Sequence, residues 1–152
     1  MRPRYMHFLR HTTPYALMCI IGCDYTGSTN QTSTAIQAVQ QADQSKIEPV
    51  SINILNDSFL GQENPSNYAG EVVQITGKVV AFALIAENQF TVTIREYNTD
   101  AICIFDASLS NQLGTDRPVR YGVTLTIQGQ CHASGLFSTN PFTLDGCQIV
   151  TN

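Results

Sequence analysis

The residues best equipped for chemistry are five cysteines, Cys19, Cys23, Cys103, Cys131 and Cys147, with His132 beside one of them. Two cysteines opposed across a hairpin can bridge, and strand register tests the pairing. If Ser138-Thr139-Asn140 is a three-residue hairpin loop, a common length, Phe137 faces Pro141 and Cys131 faces Cys147. Directly opposed residues have Cβ atoms ~4.5–5.5 Å apart, near enough for a bridge after small adjustment. The link would stabilise by about 3 kcal/mol on the loop-entropy account. The expectation is a Cys131–Cys147 disulfide. Buried free thiols acting as small hydrophobes, or a pair involving Cys103, are the competing readings. A structural zinc site is disfavoured, because its four ligands usually come in paired close spacings. Here the cysteines are scattered, and His132, next to Cys131 on a strand, points to the other face. No metal or other cofactor is expected.

Catalytic sets are equally thin. No Ser stands in a nucleophile-elbow pattern, and no Gly-rich phosphate loop is present. Asp100 and Asp106 flank an apolar run, with Glu87, Glu96 and Asp116 elsewhere. They could form a paired-carboxylate site, but acids at strand ends are usually solvated, so the chain is expected not to be an enzyme. What remains is a binding face. From Gln89 to Tyr97 the residues alternate, with Phe90, Val92 and Ile94 on one side and Thr91, Thr93, Arg95 and Tyr97 on the other. Arg95 and Tyr97 could stack on a base or a sugar. An ordinary solvated face is the plainer reading of the same four residues.

Charge separates the N-terminus from the rest. The 152 residues carry a formal charge of −4, but Arg2, Arg4 and Arg10 stand in the first ten positions. Without residues 1–22, five basic residues face twelve acidic ones, a charge of −7. Such a domain is poorly suited to general nucleic-acid binding, which needs Lys and Arg for the phosphates. The basic start is followed by the run Pro14 to Gly22, too short to span a bilayer at ~20 residues. A basic start, a short apolar run and a small residue describe a secretory signal peptide. A buried strand or helix of the domain is the alternative. Ile20-Ile21-Gly22-Cys23 resembles the lipobox of bacterial lipoproteins. That resemblance implies cleavage before Cys23 and lipid on its sulfur and new amino group, which anchors a domain without a spanning helix. The expected partner is thus a membrane reached through Cys23, with an envelope protein as a further candidate and nucleic acid disfavoured. Asp24 to Thr34 holds one charge and no periodicity, and reads as a flexible tether.

The elements that must position the face follow from pattern. Residues 35–46 have helix propensity and a thin apolar stripe, with a cap expected from Thr32 to Thr34. Ser51 is placed to cap a short helix carrying Ile52, Leu55 and Phe59, which Gly61 and Pro65 stop. From Glu71 the texture turns to strands. Val73, Ile75, Gly77 and Val79 alternate in a long first one, then come Gln89–Tyr97, Ala101–Phe105, Val123–Gln128 and Phe142–Val150. Glycines inside strands, such as Gly77 and Gly129, suit sharp bends or close approach. At 43% hydrophobic and 13% charged, the chain can bury one sizeable core. The fold class expected is mainly β: a five-stranded OB-fold-like barrel with a short helical N-terminal preface. A plain sandwich or meander is the competitor. The boundaries expected are a signal segment 1–22, a lipidated Cys and tether 23–34, the preface 35–60 and the barrel 61–152.

Tyr68-Ala69-Gly70-Glu71-Val72-Val73-Gln74-Ile75-Thr76-Gly77-Lys78-Val79 resembles the opening of a bacterial OB-fold family called tRNA_anti-like. Cys103-Ile104-Phe105, Val123 to Cys131, and Leu144-Asp145-Gly146-Cys147-Gln148-Ile149-Val150 resemble its later pieces in the same order. The likeness covers roughly residues 50–152. It implies an OB-fold, often in a lipoprotein, and a remote relation to anticodon-binding domains, which is fold analogy and not function. Glu71 stands where that family commonly has Lys, which weakens a phosphate-binding reading. OB-folds usually bind across the second and third strands and the loops beside them. That would put Thr91, Thr93, Arg95 and Tyr97 on the ligand-binding face.

Overall fold

A computed structural model describes residues 27–61, 66–86, 89–106, 109, 117–135 and 138–150, with side chains from residue 33 onward. Cys19, Cys23, the signal segment and the lipobox lie outside the described residues. Alternation builds five strands: β1 (Val72–Ala86), β2 (Gln89–Glu96), β3 (Thr99–Asp106), β4 (Thr124–Ala133) and β5 (Phe142–Ile149). They close a barrel in the order β1-β2-β3-β5-β4, as an OB-fold requires. One side chain in two points inward, so Val73, Ile75, Val79, Val92, Ile94, Cys103, Ile127 and Leu144 share a single core.

β1 serves two neighbours. Its first half pairs with β4 from Val72↔Gln130 to Lys78↔Thr124, and its second pairs with β2 from Lys78↔Arg95 onward. Gly77 permits the change of partner, because a Cβ there would stand 3.0 Å from the Arg95 carbonyl oxygen. Beyond Val80 the β1 arm runs past the core and is exposed on both faces. β3 and β5 run parallel and share only Ile102↔Thr143 and Cys103↔Leu144, the shortest ladder of the barrel.

Two helices precede the strands. α2 (Ile52–Leu60) has the expected cap at Ser51, whose hydroxyl accepts from the Asn53 amide, and it ends at Gly61. It buries Ile52 and Leu55, and stacks Phe59 on Phe142 with ring centroids 5.6 Å apart. Glu96 at the end of β2 accepts from the Ser51 hydroxyl at 2.7 Å and the Ile52 amide at 2.6 Å, which ties the helix N-terminus to the barrel. α1 (Gly27–Gln41) differs from expectation, since its helical backbone takes in residues assigned to the tether. The helix expected over 35–46 is present as far as Gln41, but it begins earlier than its thin apolar stripe and the expected cap at Thr32 to Thr34 indicated. Packing supplies what periodicity lacks: Ala35 and Val39 are fully buried, and the helix lies on β4 and β5. The chain then leaves the helix in a 3-10 turn, Gln44–Lys46, capped by Asp43. No helix among the described residues is long and apolar enough to cross a membrane.

The Cys131–Cys147 bridge is not formed; Cys103, Cys131 and Cys147 are free, buried thiols. The assumed three-residue loop is too short. β4 and β5 pair only from Ala133↔Phe142 inward, and the Ser134 amide donates to the Pro141 carbonyl. Cys131 consequently faces Leu144. A second departure lies in β5, where the ladder shifts between Gln128 and Gln130 and Gly146 takes a left-handed φ of 63°. Two residues, Gly146 and Cys147, therefore stand against the single residue Gly129, a bulge of the kind that begins with a left-handed glycine.

Candidate binding face

β2 carries the expected polar face because Val92 and Ile94 are fully buried and their neighbours must point outward. Arg95 stands opposite Asp100 in the β2–β3 ladder. The two form a fork, with Nε donating to Oδ1 at 2.5 Å and Nη2 to Oδ2 at 2.8 Å. The hydrogen bond with Arg95 is the main reason the Asp100 carboxyl lies below its ordinary range, and the same bond raises Arg95. A bidentate pair holds the guanidinium plane in one orientation.

A cleft of about 380 Å³ opens over this pair. Its floor is Thr93, Arg95, Asp100 and Ile102; Val80 and Ala81 of β1 form one wall. Thr139 and Asn140, between β4 and β5, and Tyr121, between β3 and β4, complete it. Tyr121 is mostly exposed and lines the same cleft as Arg95. Lys78 lies on the same side, paired with Arg95 across β1–β2 and with its Cε beside the Gly122 turn.

Of the four residues expected on the face, Thr93 and Arg95 meet in the cleft. Thr91 sits further along β2, where its hydroxyl donates to the Ala83 carbonyl at 3.4 Å. Tyr97 is 85% exposed in the two-residue turn after β2, with a left-handed φ of 54° that a bulky side chain adopts only under strain. It does not line the cleft, so Arg95 and Tyr97 do not make one stacking platform. Sequence reasoning missed Tyr121, Thr139 and Asn140, which arrive from connections whose path strand alternation does not fix. The Tyr121-Gly122 pair was the one available signal of a turn.

Two of the candidate carboxylates are engaged in structural contacts. Asp100 is held by Arg95, and Glu96 caps α2. Glu87 and Asp116 lie outside the described residues. His132 contacts Gln130 Oε1 at 3.2 Å on the side away from Cys131. Among the described residues no three His, Cys, Asp or Glu side chains come together as a metal site. Asp145, under α1, has an unpartnered buried Oδ1, and burial raises its carboxyl.

One further surface adjoins the cleft. On the β1 arm beyond Val80, Phe82, Leu84 and Ile85 are each about half exposed or more. Phe82 and Leu84 pair with Val92 and Phe90, so they lie on the side of the arm that faces inward lower down the barrel.

No family model matches the chain. No curated protein matches it. Among solved structures it is similar to a lipoprotein of Klebsiella pneumoniae named for nucleic-acid binding, with a TM-score of 0.56 and 25% identity. That likeness covers 73% of this chain and all of the other. The chain is also similar to a Leishmania major protein named as an aspartyl-tRNA synthetase, with a TM-score of 0.52 and 10% identity. It spans 22% of that longer chain, and the likeness carries the fold alone. The class defined by barrel order, preface and neighbours is the OB-fold.

Proposed function

We propose that this chain is a lipid-anchored envelope OB-fold protein of the tRNA_anti-like kind, acting as a non-catalytic binding module for a protein or another envelope ligand. The observation that carries the reading is the apolar arm Phe82, Leu84 and Ile85, continuous through Ala81 and Val80 with the cleft. Exposed apolar surface of this sort marks protein or membrane contacts. Asp100 already answers the cation at the cleft floor, and the domain after residue 22 carries −7. The lipobox at Ile20 to Cys23 and the Klebsiella lipoprotein support the anchor.

A second reading, a single-stranded nucleic-acid binder, has its own support. Lys78 and Arg95 lie beside Tyr121, and Arg120 precedes that tyrosine on the same turn. A stacking ring among cations is how single strands are held. Titrating the full chain with labelled oligo-dT at low salt separates the two. The envelope reading expects no binding at micromolar protein. Micromolar or tighter binding that weakens steeply with salt would overturn it. The anchor is tested by incorporation of a clickable palmitate in a bacterial host, which should label the wild type and not Cys23→Ala.

A further inference from the structure

The outer face of β4 and β5 carries a carboxyl covered by a helix that offers it no counter-charge. Leu144 is buried in the core, so Asp145, the next residue of β5, points to the outer face. Its partner across the β4 ladder is Gln130. That face belongs to α1: Gln128 reaches the Val39 carbonyl at 3.5 Å, and Gln130 shares a groove with Ala38 and Gln41. Gly146 fits so closely under the helix that a Cβ on it would overlap the Ala35 and Ile36 backbone. Asp145 is left 8% exposed, and its Oδ1 is buried with no hydrogen-bond partner among the described residues. A buried carboxylate is usually paired or hydrogen-bonded, because an unanswered charge away from water is costly.

From this placement we infer that Asp145 makes the docking of α1 pH-sensitive: the helix sits most firmly while the carboxyl is protonated and loosens as it ionises. None of the fifteen residues of α1 is ionisable, so the helix brings no cation to an ionised Asp145. On β4 the titratable group of the same face is His132, which stands diagonally from Asp145 in the ladder and contacts Gln130 Oε1 at 3.2 Å. Cys131 and Cys147 lie on the core side, where burial raises both thiols. Beyond the end of the helix, Asp43 and Lys46 answer each other at 3.3 Å, and Glu71 borders the groove beside Gln130. Burial pushes the Asp145 carboxyl above its ordinary value, and His132 offsets part of that rise. A lifted helix returns the carboxyl to water, where it titrates near ~3.9. Below that value both states hold the proton and docking is at full strength. Above it the lifted state ionises first, so docking weakens with rising pH until the seated carboxyl ionises too. One proton is at stake, so helix opening rises by at most about tenfold per pH unit. Release of α1 uncovers the outer face of β4 and β5 and frees the link between the barrel and the residues before it.

The test is amide hydrogen exchange of the folded full chain from about pH 3 to about pH 8, expressed as protection factors so that the intrinsic rate cancels. Protection over residues 33–41 should fall as pH rises above about 3.9, by up to about tenfold per unit, while β1 and β4 hold theirs. Asp145→Asn should abolish the slope and keep the protection of the acid form throughout. His132→Gln should leave the slope in place. Carbon NMR of the wild-type Asp145 carboxyl, which needs no variant, should put its midpoint above about 3.9. Protection of α1 that is level with pH would overturn the inference. So would a slope that survives in Asp145→Asn, one that vanishes in His132→Gln, or a carboxyl midpoint at or below the ordinary value. None of these outcomes depends on what the cleft binds.

Discussion

Gly146→Ala should detach α1 while leaving the barrel closed. Gly146 lies under the helix with φ 63°, and a Cβ there would stand 2.4 Å from the Ile36 amide nitrogen and 2.5 Å from the Ala35 carbonyl carbon. Both are backbone atoms, so no side chain can swing aside. The left-handed conformation costs an L-residue about 1–2 kcal/mol. If the helix lifts, Val39 leaves a fully buried site, and burial of a side chain that size is worth about 1.5–3 kcal/mol. The helix also gives up the contact of its Val39 carbonyl with Gln128. Relief of the clash by lifting does not remove the φ cost, so the total loss is about 3–5 kcal/mol. Urea unfolding of wild type and variant measures it, and amide hydrogen exchange locates it. Residues 33–41 should lose protection, while β1 and β4 keep most of theirs. A loss under about 1 kcal/mol, or unchanged exchange in α1, would show that the helix is not seated on this glycine.

Other perturbations follow the same logic. Glu96→Ala should cost about 1–2 kcal/mol in urea unfolding, because it strips two donors at the N-terminus of α2 of their acceptor. Phe142→Ala should cost about 3–5 kcal/mol, since the ring is fully buried and stacked on Phe59; a loss below about 2 kcal/mol would mean that α2 is not held there. Burial raises the Cys131 thiol to about 12, so its stabilising share is complete below the unfolded value of about 8.5 and is lost as pH rises toward 12. Cys131→Ala should flatten stability against pH in that window, as read by thermal melts of reduced protein. Asp100 behaves oppositely. Arg95 lowers its carboxyl, so its contribution is present above an unfolded value of about 3.9 and fades as pH falls below it. Asp100→Asn should remove that acid dependence, and melts at pH 2–5 would reveal any residue of it.

Much of the barrel was legible because strand burial has a period of two. Val92 and Ile94 against Thr93 and Arg95, or Leu125 and Ile127 against Thr126, leave a face for the core and a face for water. The capped helix Ile52–Leu60 was equally plain, since Ser51 and Gly61 bracket its apolar spacing. The outward placement of Thr93 and Arg95 on the candidate face could be read from the same alternation. What failed depended on connections. The Cys131–Cys147 register presumed a loop length, and a longer connection together with one left-handed glycine moved Cys147 from an expected partner at Cys131 to a seat against Gly129. Alternation cannot count residues inside a turn or announce a bulge.

By itself the sequence determined which residues face the core, where α2 begins and ends, and that five strands close a barrel behind a helical preface. The lipobox resemblance at Ile20 to Cys23 is likewise a matter of local residue order. Only the tertiary structure decided that α1 reaches back to Gly27, since that helix is held by β4 and β5 and not by its own periodicity. It alone brought Tyr121, Thr139 and Asn140 over the Arg95–Asp100 fork, and Cys147 to its seat against Gly129. Those neighbours come from segments far apart in the chain. Their meeting is set by barrel closure, loop length and one bulge, which no local pattern encodes.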